Sequence, residues 1–324
     1  MNNTMIKQPT ANGLVIKSNK TGRAADSFLK EIVKNKYIYL MALPGLLFYL
    51  IFCYGPMYGA IIAFKDYSPA AGILGSAWVG LENFKQFFTG MYFVRTLRNT
   101  ILLSVYQIIF GFPAPILLAL LLNEIQSKYF KRTVQTITYI PHFVSLIVIS
   151  GLIIDFTMQN GIINDIIALF GFERSNLLMR PEMFRRIYVI SGIWQEIGWG
   201  SIVYLAALGS IDSSLYEAAR IDGAGRIRQA WHVTLPGIMP TIVVLFIMQI
   251  GKVMSVGFEK VMLLYSPATY ETADIISTFV YRKGIEEANY SFSSAVGLFN
   301  SVVNLILIFA ANTFSRKINE TSLW

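Results

Sequence analysis

The chain has 324 residues, 54% of them hydrophobic and only 14% charged, where a soluble domain carries about 25% charged residues. With a mean hydropathy of +0.52, that balance excludes an ordinary water-soluble globule and fits a protein whose solvent is partly lipid. A formal net charge of +8 would suit nucleic acid in a soluble protein, but membrane proteins collect Lys and Arg in cytoplasmic loops, so the expected partner is lipid and not nucleic acid.

Residues 1–36 are polar and basic, with Lys7, Lys17, Lys20, Arg23, Lys30, Lys34 and Lys36. They read as a cytoplasmic tail ending in a short interfacial helix around Phe28, Leu29, Ile32 and Val33. The apolar stretch that follows is too long for a signal-peptide core and lacks a clean small-residue cleavage site. Residues 37–324 read as the transmembrane domain. Six apolar runs lie in it, at roughly 38–63, 99–122, 134–156, 187–211, 239–264 and 292–314, each long enough for the ~20 residues a helix needs to cross the hydrocarbon core. None alternates with period two, which argues against a membrane barrel. Pro44, Pro56, Pro113, Pro115 and Pro141 fall inside runs, where neighbouring helices and water can satisfy the freed carbonyls. The expected fold is an all-α integral membrane protein of six transmembrane helices. Placing the N-terminus inside puts fifteen Lys and Arg in the inner segments, seven of them in the tail, against ten in the outer loops. That bias predicts N-in and C-in.

The first outer loop is crowded with Tyr67, Trp78, Phe84, Phe87, Phe88, Tyr92 and Phe93. These fit either an interfacial belt or a docking surface for an external partner. The lone cysteine, Cys53, sits in an apolar run, and His142 and His232 lie in different segments, so no disulfide framework and no metal site is expected. No HExxH, GxSxG or GxxxxGK[ST] sequence occurs. The chain therefore has no P-loop for ATP and no assigned catalytic residue.

Charged side chains at membrane depth are costly, at about 2.5–3.5 kcal/mol on insertion scales. Glu196 lies well inside the fourth run and Lys252 inside the fifth, which runs the opposite way, so at a rise of about 1.5 Å per residue both reach a similar depth. Trp194, Gln195, Trp199 and Gln249 lie near them in sequence. Aromatic faces, amides, carboxylates and amines are the groups that match sugar rings and hydroxyls, so the set reads as a substrate pathway. The alternative is a buried ion pair that fixes helix packing. In either case Glu196 and Lys252 are expected to face each other or share a water. His142 and Ser145 of the third run are further pathway candidates, and His142, next to Pro141, could equally bond a freed carbonyl.

The segment 212–240 between the fourth and fifth runs reads as two short helices with a break. Ser214 precedes Glu217 at capping-box spacing. Ala218, Ala219 and Ile221 form a small apolar face, Gly223 and Gly225 permit a sharp turn, and Pro236 and Pro240 mark the start of the fifth helix. A compact helical knob of this kind suits a groove on another protein.

At these residues the chain resembles a known family. Glu217-Ala218-Ala219-x-x-Asp222-Gly223-Ala224, followed by Leu235-Pro236, is similar to the signature cytoplasmic loop of binding-protein-dependent ABC permeases, most of all the carbohydrate permeases of the maltose and polysaccharide type. The segments 56–67, 194–201 and 320–324 resemble the polysaccharide subgroup, so the likeness runs over about residues 37–324. One departure is Ala230, where many relatives carry an aromatic; Trp231 stands next to it. The resemblance implies a type I ABC importer permease in a bacterial plasma membrane, with an oligosaccharide or polysaccharide fragment as cargo. It implies as partners a second homologous permease, two ATP-binding subunits that hold ATP and Mg, and an extracellular sugar-binding protein, with no cofactor on this chain. Glu217, Ala218, Ala219, Asp222, Gly223, Ala224, Leu235 and Pro236 would insert into the ATPase and transmit its closure. The segments before this loop and in the helix after it would line the sugar site. A permease for an amino acid or short peptide remains open, as does a membrane-embedded enzyme, against which the scattered His and single Cys argue. A pure scaffold would not need charges at depth.

Overall fold

A computed structural model describes residues 34–319; the expectations for the basic tail, for the interfacial helix near Phe28–Val33 and for Glu320–Trp324 lie outside them. The chain divides into one unit ending at Gly59 and a second from Ala60 onward. Among the described residues, five helical spans are long and apolar enough to cross a membrane: Lys36–Phe64, Phe93–Glu124, Leu146–Leu169, Arg226–Ile250 and Tyr290–Lys317. The fourth apolar run forms the 28-residue helix Pro181–Leu208, which carries more charged residues than any of those five. The only strands among the described residues are a two-residue antiparallel pair, Lys65–Asp66 with Ala77–Trp78.

Prolines shape the spans in a consistent way. π-type turns occupy Tyr49–Tyr54, Gln107–Gly111 and Ala230–Thr234, directly ahead of Pro56, Pro113 and Pro236. A proline ring clashes with the carbonyl four residues back and offers no donor to it. One widened turn moves that carbonyl aside and lets the helix continue. The helix that carries Pro236 therefore begins at Arg226, and the proline marks a bulge inside it instead of its start.

Two runs expected as single helices are broken. The third stops at Phe143, with Val144 extended, and restarts at Leu146 with the Ser145 hydroxyl accepting from the Val148 N–H. The fifth ends at Ile250 and resumes at Phe258 after a 3₁₀ turn, Val253–Ser255. The broken backbone finds partners on neighbouring helices. Met254 N–H donates to Asn304 Oδ1 at 3.0 Å and its carbonyl accepts from Asn300 Nδ2 at 2.8 Å. The Ser104 hydroxyl donates to the Val253 carbonyl. Gly257 closes the break at φ +45°, where a Cβ would also collide with the Tyr188 hydroxyl.

The helix Pro181–Leu208 lies at the centre of the second unit. It packs along Pro113–Glu124 on one side and Lys128–Phe143 on the other. Gly198 meets the Thr138 backbone so closely that no Cβ could fit, and a Cβ on Gly200 would come within 2.9 Å of Pro115. Ile116, Ala119, Tyr204, Leu208 and Ile238 fill the core at one end, and Leu103, Ile153, Phe184 and Val261 anchor a second cluster. In a third, Phe87 is buried against Phe93, Phe292 and Phe299. The aromatics of the first outer loop thus serve partly as core: Phe87 is neither belt nor docking surface, while Trp78 is exposed and stacked on Phe64 at 5.7 Å.

Asp274 ties three segments together. It is fully buried and bonded to Arg282 at 2.7 and 2.9 Å, to Arg95 at 3.0 Å and to the Thr278 hydroxyl at 2.9 Å. Asn99 Nδ2 donates to the Asp274 carbonyl at 3.0 Å, and its Oδ1 accepts from Arg185 at 2.7 Å. Removing one partner of such a buried group strands the others, at about 3–5 kcal/mol. Asp274→Ala is expected to destabilise the detergent-solubilised chain by about that amount in denaturant unfolding; an unchanged midpoint would contradict the assignment.

Candidate functional site

The first candidate site is a cavity of about 270 Å³ whose lining includes Gln107, Pro115, Glu196, Tyr204, Gln249 and Lys252. It brings three of the sequence candidates together: Glu196, Gln249 and Lys252. Glu196 and Lys252 share this cavity, but among the described residues no direct ion pair joins them. Glu196 Oε2 lies 3.0 Å from His142 Nδ1. The reason is helix packing: Gly198 seats the central helix on the Thr138 backbone, and His142 is one turn further along the same helix as Thr138. Lys252 instead sits two residues past the end of its helix, in the break. His142 is correspondingly not the partner of a carbonyl freed by Pro141.

Trp199 stacks on the His142 ring at 4.5 Å with the planes 2° apart, and Phe143 meets it edge-on at 5.5 Å. The remaining candidates separate. Trp194 lines a different, largely apolar cavity of about 460 Å³ with Phe156, Ile190 and Arg186. Gln195 is buried in the helix packing, and Ser145 serves as a helix cap. Gln107 and Tyr204 were not among the sequence candidates; an amide in the middle of an apolar run was the available signal for Gln107.

The second site is the 212–240 loop. Its first helix spans Ser213–Ile221, and Asp212 caps it by accepting from the Ser214 N–H at 2.9 Å. This replaces the capping box expected from Ser214 and Glu217, and leaves the Glu217 carboxylate exposed. The same N–H holds the Asp212 carboxyl below its ordinary pKa. The helix ends in a Schellman turn: the Ala224 N–H reaches the Ala219 carbonyl at 2.8 Å and the Gly223 N–H the Arg220 carbonyl at 3.0 Å. Gly223 supplies the left-handed residue this turn requires, at φ +75°.

Two long-range bonds close the loop into a knob. Gln229 Nε2 donates to the Ala224 carbonyl at 2.7 Å, and the Tyr216 hydroxyl to Thr234 Oγ1 at 3.1 Å. Apolar side chains remain on the outside: Ile221 is 87% exposed, Ile227 78% and Trp231 66%, with Leu215 beside them in sequence order. Ala218, Asp222, Gly223 and Pro236 are exposed as well, while Ala219, Ala224 and Leu235 are half-buried. Leu215 and Ile227 were not singled out in the sequence, because neither belongs to the signature. The second half of the knob runs on into the membrane segment, since Arg226–Ile250 is one 25-residue helical span.

Comparison with known proteins fits this arrangement. The family model described as binding-protein-dependent transport system inner membrane component matches residues 111–320. The chain is 45% identical, over 100% of both sequences, to the polygalacturonan/rhamnogalacturonan transport system permease protein YteP of Bacillus subtilis (strain 168). It is 48% identical to protein LplB of the same organism, over 92% of this chain and 94% of the relative. Among solved structures it superposes with TM-score 0.84 and 44% identity, over 91% of this chain and 99% of the other, on a chain of a bacterial alginate ABC transporter in complex with alginate pentasaccharide-bound periplasmic protein. The chain belongs to the family of binding-protein-dependent transport system inner membrane components.

Proposed function

We propose that the chain is a channel-forming subunit of an ATP-driven importer for saccharide oligomers, in which the 212–240 loop carries ATPase closure to the membrane helices. The observation that carries this reading is the knob itself. An apolar surface of Ile221, Ile227 and Trp231, left uncovered by the other described residues, is what a partner groove would bury. Its helical continuation into Arg226–Ile250 delivers displacement directly to Gln249 and Lys252 at the cavity. The names of the relatives, permeases for polygalacturonan/rhamnogalacturonan and for alginate, support a saccharide cargo.

On this reading the assembly contains a second permease, two ATPase subunits that bind ATP and Mg, and an external binding protein, in a bacterial plasma membrane. Pro181–Leu208 is the sixth membrane helix, with both termini of the chain inside. Accessibility tags placed after Asn176 or Glu286 should then react from outside, and tags at Gly225 only from inside. An outside-reactive Gly225 would refute this topology.

Coupling is tested at Gly223. Space around it is open, so Gly223→Leu strains the turn by about 1–2 kcal/mol without touching the core. In proteoliposomes holding the complete complex, saccharide-stimulated ATP hydrolysis and uptake should fall about tenfold while the chain inserts and assembles normally. Full stimulated hydrolysis in that variant would remove the loop from the coupling role.

A further inference from the structure

The two charged groups that line the cavity do not pair with each other. Glu196 is the one carboxylate in its lining, and it is engaged by His142. Lys252 lines this cavity and a second one of about 210 Å³, and Gln107 and Gln249 accompany it in both. The second cavity adds Ser104, Tyr188 and Ser255, and no acidic residue. Among the described residues Lys252 forms no ion pair. Lys260, buried nearby, rests on the Tyr188 carbonyl at 3.4 Å and 5.3 Å from the Tyr188 ring centre, with no carboxylate in ion-pair range. Its Nζ and Gln107 Oε1 both lie 3.6 Å from the point where a Cβ on Gly192 would stand.

Among the described residues Lys252 and Lys260 thus outnumber the one carboxylate in the cavity lining, and Glu196 is hydrogen-bonded to His142 and ion-paired with neither ammonium. Uncompensated cations at membrane depth are costly and mark solute or ion pathways. We propose that the missing anion is the cargo: the joined cavities take a carboxylate-bearing saccharide, with Lys252 as its counter-charge and the Gln107 and Gln249 amides on the neighbouring hydroxyls. This deepens the saccharide-importer reading and rests on it. Lys252 is suited to the role because it stands in a helix break, two residues past Ile250.

The test compares galacturonic acid trisaccharide with its fully methyl-esterified form, using the complete complex and its binding protein in proteoliposomes. The wild-type complex should respond more strongly to the acid. Lys252→Gln should cut acid-stimulated ATP hydrolysis about tenfold and alter the ester response much less, whereas Lys252→Arg should stay within about threefold of wild type. Thermal unfolding midpoints of both variants should match the wild type. A Lys252→Gln complex that responds to the acid as wild type does, or that loses acid and ester response equally, would overturn the assignment and leave the saccharide reading standing. Loss of fold or activity in Lys252→Arg as well would mark a structural lysine and overturn it too. A wild-type complex that responds to neither saccharide would overturn the saccharide reading, and this assignment with it.

Discussion

The close approach of the central helix to its neighbours at Gly198 is the contact on which the cavity depends. In lipid there is no hydrophobic gain from pressing two apolar helices together, so association relies on tight van der Waals contact through small residues. With no side chain at Gly198, the helix Pro181–Leu208 lies directly on the Thr138 backbone. That contact fixes the register of the two helices. It brings His142 to Glu196 at 3.0 Å and lays the Trp199 ring on the imidazole. Gly200, two residues on, lets Pro115 approach from the other side. The cavity wall, the engaged carboxylate and the stacked rings all follow from these two glycines.

Broken and bulged helices do the remaining work. The π-turns at Tyr49–Tyr54, Gln107–Gly111 and Ala230–Thr234 each absorb a proline that would otherwise end the span, and so keep it continuous. For Arg226–Ile250 the consequence is continuity, because the last part of the knob and the membrane segment share one helical span. The same span ends at Ile250, where the backbone opens and is held to the last helix by Asn300 and Asn304. Displacement of the knob therefore arrives at a break lined by Gln249 and Lys252. The Asp274 cluster separately joins the segments near Arg95, Arg185 and Arg282.

The local features of this architecture were legible in the sequence. Run length and charge deficit identified the membrane helices, and the residues from Glu217 to Pro236 identified the loop and its family. Matched depth placed Glu196, Gln249 and Lys252 in one cavity. Features that depend on pairing between distant segments were not legible. His142 and Glu196 are 54 residues apart, and nothing local distinguishes that pairing from Glu196 with Lys252. Asp274 looks like any loop acid until Arg95 and Arg282 close on it. The breaks at Val144 and at residues 251–257 fall at local breaker signals, Ser145 and then Gly251, Lys252, Ser255 and Gly257, but the groups that satisfy the second opened backbone, Asn300, Asn304 and Ser104, lie on other helices and gave no local sign. The Ser214 capping box failed for a simpler reason: Asp212 stands two residues earlier and is the better-placed acceptor.

The central claim is that the 212–240 knob is the part of this chain that an ATPase subunit holds. The most direct measurement is site-specific cross-linking in a Cys53→Ser background, which removes the single native thiol. A cysteine placed at the exposed Ala218 should cross-link to the ATPase subunit in membranes holding the complete complex, and the yield should change when a non-hydrolysable ATP analogue closes the ATPase. A cysteine at exposed Glu173, in the loop assigned to the other side, should not cross-link. Absence of any Ala218 cross-link in an assembled, ATP-hydrolysing complex would contradict the account.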